Sequence, residues 1–321
     1  MTNESNVRRI AFLYAGQGAQ APGMGKDFYD AFPVYREAFD AVDPDGSVAH
    51  LCFEADAEEL GQTRNTQPAM VAEGIAITAL LANHGITPAM AAGLSLGEYT
   101  ALATAGVFSP RQAVELVALR GLAMERASEG LACGMVAVLG MDAAQVHRAC
   151  CQAEIQTGQV VEPANFNAPG QIVISGESTA VDCAAKLLLE MGAKRCMPLA
   201  VSGPFHTSLM GPAGNELHER FASEKFGVMD NPVVFNATGD IIQEDQTVAG
   251  LLEKQVQSSV HFDESIRTMA AAGITTFVEI GPGKTLSKLV RRIDKSLEVL
   301  NVEDIASLEK TLAILKGACN D

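Results

Sequence analysis

Ser95 stands between two glycines in Gly93-Leu94-Ser95-Leu96-Gly97. GxSxG is the spacing in which a strand turns sharply into a helix and leaves a hydroxyl exposed at the bend. A short apolar run, 89–92, precedes it and an alanine-rich helical stretch follows, which is the setting such an elbow needs. The same small residues would also serve a plain tight turn. A serine hydroxyl is a weak nucleophile at neutral pH, so the catalytic reading requires a base. Of the six histidines, His206 is the candidate. In VSGPFHTSLM it follows an apolar run and a Gly-Pro turn and precedes a helix start with Thr207 or Ser208 as cap. A helix N-terminus disfavours imidazolium and would keep the ring basic; a buried histidine bonded to backbone is the competing reading. His261 in SVHFDES reads as structural, and His50, His84, His147 and His218 as surface or capping residues.

Arg120 is the third reactive feature. Its helical neighbours three and four residues away are Leu116, Val117, Ala123 and Met124, all apolar. An arginine on such a stripe either snorkels its head to water or delivers a buried guanidinium to an anion. Beside a nucleophilic serine the natural anion is a substrate carboxylate, which a guanidinium binds with two hydrogen bonds. A second cationic feature is KTLSKLVRRIDK, with Lys284, Lys288, Arg291, Arg292 and Lys295 against one Asp294. It is either a solvated helix face or a docking patch for an acidic partner. Lys194 and Arg195 form a smaller basic pair. Gly281-Pro282-Gly283-Lys284-Thr285 resembles the tail of a P-loop, but the first glycine that motif requires would fall at Val278. Nucleotide binding is not supported.

The elements that must hold these residues alternate between strand and helix, which predicts an α/β architecture. The run 10–14 leads into the loop Ala15-Gly16-Gln17-Gly18, followed by a helix over 26–42. Helical spacing over 67–83 places Pro68 at the helix start and Gly85 past its end. Ser109, Pro110 and Gln112 form a capping box for a helix reaching about Ala127. After Gly130 the order becomes strand 135–139, helix 142–153, strands 160–164 and 171–175, helix 178–191, strand 194–199. That βαββαβ sequence is ferredoxin-like. It predicts an inserted subdomain at 131–199, within a hydrolase-like core of parallel sheet and flanking helices made from 1–130 and 200–321. The core continues through helix 207–223, the strand-like PVVFNATG, helices 247–257 and 263–272, strand 275–280 and the basic helix.

Composition limits the reaction classes. With 321 residues and 48% hydrophobic content the chain can bury a large core. A net charge of −16 disfavours nucleic-acid or anionic-membrane partners. The polar opening MTNESNVRRI lacks the apolar stretch of a signal peptide, and no run is long enough to span a bilayer. A cytoplasmic setting is expected. The seven cysteines (52, 133, 150, 151, 183, 196 and 319) are scattered and contain no CxxC, so reduced thiols are expected, not a disulfide framework or zinc site.

A family resemblance joins these features. In order the chain carries AGQGAQ, NTQPAM, GLSLGEYTAL, LRG, ANFNAPGQIVISG, GPFHTSLM, NATGD and VEIGPGKTL. In this it resembles the malonyl-CoA:acyl carrier protein transacylases of fatty acid synthesis and their polyketide relatives, nearly end to end. The resemblance implies Ser95 as nucleophile and His206 as general base and acid. It implies that the Gln255 carbonyl orients the histidine, that the amides of Gln17 and Leu96 form the oxyanion hole, and that Arg120 binds the malonyl carboxylate. It further implies malonyl-CoA as substrate, no bound cofactor, a phosphopantetheine thiol carried by an acidic acyl carrier protein, and a monomer. Leu94 departs from the family, which usually has histidine before the nucleophile. Phe205 matches the phenylalanine that malonyl-selective relatives often carry. The alternatives are a discrete polyketide synthase acyltransferase and a serine esterase or thioesterase, the latter needing an acidic triad member.

Overall fold

The computed structural model describes residues 8–317. Its strands, in chain order, are β1 (Ile10–Tyr14), β2 (Met90–Gly93), β3 (Cys133–Leu139), β4 (Val161–Ala168), β5 (Gln171–Glu177), β6 (Arg195–Leu199), β7 (Val234–Phe235), β8 (Asp240–Ile241), β9 (Thr276–Ile280) and β10 (Glu298–Val302). Four of them make a parallel sheet in the order β10-β9-β1-β2. Side chains alternate across a strand, so Phe12 and Tyr14 enter one apolar core while Ala11 and Leu13 enter another on the opposite face. Burial on both faces explains why β1 and β2 are apolar without alternation. Tyr14 pairs in register with Gly93 on one side and Ile280 on the other. The chain therefore leaves three neighbouring strands at one edge, and the loops at 15–25, 94–96 and 281–284 gather there. The carboxyl edge of a parallel sheet is where α/β proteins build sites.

The second sheet is antiparallel, in the order β4-β5-β3-β6. Helices Ala143–Thr157 and Ser178–Glu190 cover one face, where Val136, Val138, Ile172 and Ile174 meet Val146, Ala149, Ala184 and Leu188. Met135, Ala137 and Val173, on the other face, join the large core. Two backbone bonds of 2.8 Å, from Val260 N to Ala164 O and from Phe166 N to Val260 O, tie the two sheets' units together.

Several elements differ from the sequence expectation. The helix expected over 26–42 is two, Lys26–Ala31 and Pro33–Val42, with Phe32 extended between them. Proline disfavours the helical region for the residue before it. The helix expected over 67–83 begins at Thr63, with Pro68 inside it. One backbone bond is forgone there, and burial of most of the helix outweighs it. PVVFNATG supplies only the two-residue β7, because the backbone N–H of Asn236 is bonded to Glu98 instead of to a neighbouring strand. The segment after His206 starts as a 3₁₀ turn, Ser208–Met210, before the helix Gly211–Phe221. The capping box at Ser109 and Gln112 is present as expected. Helices Ser47–Phe53, Ala57–Gly61 and Ile305–Gly317 and strand β10 add to the expected set.

Among the described residues no helix is long and apolar enough to cross a membrane. No group of three or more potential metal ligands occurs among them. Six cysteines are free thiols; Cys319 and residues 1–7 of the polar opening lie outside the described residues.

Candidate active site

The turn at Ser95 is shaped by the glycines around it. A Cβ on Gly93 would lie 1.9 Å from the carbonyl carbon of Gly97, and one on Gly97 would lie 2.2 Å from Tyr14 O. Any larger residue would force the incoming strand and outgoing helix apart. Ser95 itself has φ 52° and His206 φ 62°, the two non-glycine residues of the described chain in the left-handed region. Such a conformation costs about 1–2 kcal/mol and persists only where surrounding bonds over-determine it. Around Ser95 those bonds are clear. Its N–H donates to Asn236 Oδ1 at 2.6 Å, Asn236 Nδ2 donates to Gly93 O at 2.7 Å, and Gln255 Nε2 donates to Ser95 O at 2.7 Å.

Ser95 Oγ lies 2.7 Å from His206 Nε2, and His206 Nδ1 lies 2.9 Å from the carbonyl of Gln255. A carbonyl only accepts, so Nδ1 carries the proton and Nε2 is free to take one from the hydroxyl. Burial, reinforced by the Arg120 charge, pushes the His206 pKa down to about 4. The imidazole is therefore neutral at physiological pH. Thr207 makes no side-chain cap, and a 3₁₀ turn leads into the helix Gly211–Phe221; desolvation comes first among the causes of the depression and the Arg120 charge second.

Arg120 does not snorkel. It is 1% exposed and its guanidinium points at Ser95 Oγ. Nη1 donates to Gln67 Oε1 at 2.9 Å; Nη2 donates to Gln255 Oε1 at 3.0 Å and to Ser95 Oγ at 3.1 Å. Its carbon sits 5.6 Å from the centroid of the Tyr99 ring. Nε is buried without a partner. Nε and Nη2 form the side-on fork of the guanidinium, which matches a carboxylate. Nearby Glu98 is fully buried, one oxygen taking the Asn236 N–H, and burial raises its pKa to about 8.

A cavity of about 170 Å³ opens on this cluster, lined by Gln17, Ser95, Arg120, Phe205 and His206, with Leu94, Met135 and Asn167 among the other walls. Leu96 and Gln255 are buried behind it. The amides of Gln17 and Leu96 donate to no group among the described residues. Gly16 permits the loop to close on the elbow, since a Cβ there would lie 2.4 Å from Leu94 O. The structure thus brings Gln17, Ser95, Leu96, Arg120, His206 and Gln255 to one place. A second hollow of about 400 Å³ continues from it between Gly16–Ala19, Leu94 and the end of β6. Gln67, Glu98 and Asn236 enter the site without having been singled out from sequence. They lie within quoted motifs; Glu98 is three residues past Ser95, whereas no local spacing relates Gln67 or Asn236 to it.

The remaining candidates lie elsewhere. His261 stacks on Phe166 with centroids 5.2 Å apart. In the GPGK turn the amides of Leu286 and Ser287, which a P-loop would offer to phosphate, donate to Glu279 at 2.9 and 2.7 Å. The basic helix spans Thr285–Ile293. Lys284 pairs with Glu303 at 2.7 Å, Arg291 donates to Val299 O, and Arg292 donates to the 169–171 turn. Lys288 and Lys295 are exposed and have no ion pair among the described residues.

Fold and geometry together define a class: an α/β protein that presents a serine–histidine pair, with a buried arginine against it, at the carboxyl edge of its parallel sheet. The acyl transferase domain family matches residues 11–312, and the chain belongs to that family. It is 43% identical over 312 residues to the malonyl CoA-acyl carrier protein transacylase of Bacillus subtilis, covering 97% of this chain and 98% of that one. Among solved structures, the MCAT of Streptococcus pneumoniae is 46% identical with a TM-score of 0.89, over 95% of this chain and all of the other. A malonyl-transacylase in complex with its type II PKS acyl-carrier protein is 38% identical with a TM-score of 0.91, over 95% of this chain and 99% of that one.

Proposed function

We propose that this acyltransferase moves a malonyl group from malonyl-CoA to the phosphopantetheine thiol of an acyl carrier protein through an ester on Ser95, supplying fatty acid synthesis. The observation that carries the reading is Ser95 Oγ, 2.7 Å from a neutral histidine and 3.1 Å from a buried arginine. Nucleophile, base and carboxylate anchor meet at one atom. Ser95 Oγ attacks the thioester carbonyl as its proton passes to His206 Nε2. The amides of Gln17 and Leu96 hold the oxyanion of the tetrahedral adduct. The C–S bond then breaks, and the departing coenzyme A thiolate takes the proton from His206. The carrier's thiol repeats the sequence in reverse, giving up its proton to His206 and releasing Ser95. Arg120 binds the free malonyl carboxylate with Nε and Nη2 throughout, and Phe205 limits bulk at the α-carbon. The hollow beside Leu94 accommodates the pantetheine arm. A hydrolase triad would need a carboxylate on His206 Nδ1, and the partner is a carbonyl, which favours the acyltransferase over an esterase.

In this reading the antiparallel unit at 131–199 is a ferredoxin-like insert closing over a hydrolase-like core formed by 1–130 and 200–321. Its strand order and two helices on one face support that division. The protein acts as a cytoplasmic monomer with no bound cofactor. The acidic carrier docks on one basic corner. Arg292 donates to Gly170 O, Gly140 N donates to the same carbonyl, and Lys194 N is bonded to Leu139 O, so the basic helix and the Lys194–Arg195 pair border the same turn.

Mass spectrometry tests the central claim. Incubation with malonyl-CoA should add one malonyl group, located on Ser95, and addition of holo carrier protein should remove it. An unmodified protein, or equal labelling of Ser95→Ala, would sink the proposal.

A further inference from the structure

Gln255 enters the site twice. Its main-chain carbonyl meets His206 Nδ1, while its fully buried side chain has both amide atoms committed. Nε2 donates to Ser95 O at 2.7 Å, and Oε1 accepts from Arg120 Nη2 at 3.0 Å. Ser95 O and the Leu96 N–H belong to one planar trans peptide, so they point in opposite directions. Anchoring the carbonyl therefore fixes the aim of the N–H. The preceding amide, Ser95 N–H, is taken by Asn236 Oδ1 at 2.6 Å and is withdrawn from the reacting centre. The strained φ of Ser95 makes such anchoring necessary, because an unrestrained 95–96 peptide would relax toward commoner conformations. A neutral amide can donate to a carbonyl with one atom and accept from a guanidinium with the other, whereas an ionised carboxylate only accepts.

We propose that the Gln255 side-chain amide is a positioning residue for the oxyanion hole, holding the 95–96 peptide so that the Leu96 N–H meets the developing oxyanion. This rests on the acyl-transfer reading above, in which Leu96 is one of the two donors. The role is separable from the orientation of His206, because every substitution at 255 keeps the main-chain carbonyl.

The test is single-turnover release of coenzyme A by wild type and Gln255→Met, with malonyl-CoA and, more slowly, acetyl-CoA, across pH. Loss of aim at one oxyanion donor should lower the rate about 10- to 100-fold for both thioesters alike. KM for malonyl-CoA should change little, and the acid limb set by His206 should stay where it is. If Gln255→Met does not fold, as judged by its melting temperature, Gln255→Glu retains the acceptor toward Arg120 and loses the donor. Its rate with acetyl-CoA, which has no carboxylate for Arg120, gives the same readout. An unchanged acetyl rate, a loss confined to malonyl-CoA, or a displaced acid limb would each overturn the positioning role. Failure of the wild type to acylate Ser95 would instead overturn the functional reading.

Discussion

Replacing Arg120 by alanine tests the substrate assignment most directly. In the free protein Nη1 is held by Gln67, and Nη2 divides its donors between Gln255 and Ser95 Oγ, while Nε is unpartnered. An arriving carboxylate therefore gains Nε outright and exchanges for the Ser95 contact on Nη2. Hydrogen bonds to charged groups contribute about 1.5–3 kcal/mol each; one gained in full and one by exchange gives about 3–4 kcal/mol, or roughly 10²–10³-fold in kcat/KM. Arg120→Ala should lose that factor with malonyl-CoA and stay within a few-fold with acetyl-CoA, whose acyl group carries no charge. Carrier-protein acylation followed by mass spectrometry, with both thioesters competing in one tube, measures the ratio. Glu98 does not confound the result through an unpaired charge, since burial already favours its protonated form. A malonyl-to-acetyl preference that survives the substitution would refute the role given to Arg120.

With the His206 pKa near 4, acylation should hold level from pH 8 to about 5 and decline below; a limb near pH 6.5 would contradict a buried, neutral base. The same depression predicts that stability falls as pH drops from about 6.5, where the unfolded histidine takes a proton, toward 4, and that His206→Gln flattens this part of the melting profile. Glu73 is buried with both carboxyl oxygens unpartnered, and burial raises its pKa to about 8. Its folded value lies above the unfolded one, so stability present in acid is lost as pH rises toward 8; Glu73→Gln should show a smaller fall in melting temperature between pH 6 and 9 than wild type, and an equal fall would rule the residue out. Reversing Lys288 and Lys295 to glutamate should raise KM for carrier protein at low salt and leave malonyl loading of Ser95 unchanged. Equal transfer kinetics would remove that helix from the docking surface.

Much of the site could be read before any coordinates. GLSLG requires an elbow wherever it lies between a strand and a helix, because only hydrogen fits where Gly93 meets Gly97. The apolar neighbours of Arg120 at three and four residues placed it on an apolar stripe by helical geometry alone, and the structure decided that it is buried and does not snorkel. His206 was legible as the candidate base, but the main source of its low pKa was not. Desolvation depends on what packs over the ring from distant segments, and no local spacing encodes that. The broken helix at Phe32 could have been taken from Pro33, since the restriction on the preceding residue is local.

Short-range sterics and periodicity are properties of neighbouring residues, so the sequence by itself determined the strand–turn–helix setting of Ser95, the apolar helix stripe that carries Arg120, the βαββαβ order and the family resemblance. Only the tertiary structure decided what converges on Ser95. Asn236 and Gln255 bond it directly from 141 and 160 residues away, Gln67 reaches it through Arg120, and such bonds leave no periodic trace in the chain. The parallel register that aligns Tyr14, Gly93 and Ile280 is equally non-local. It sets three loops at one edge, and there a serine, a histidine and an arginine become a single site.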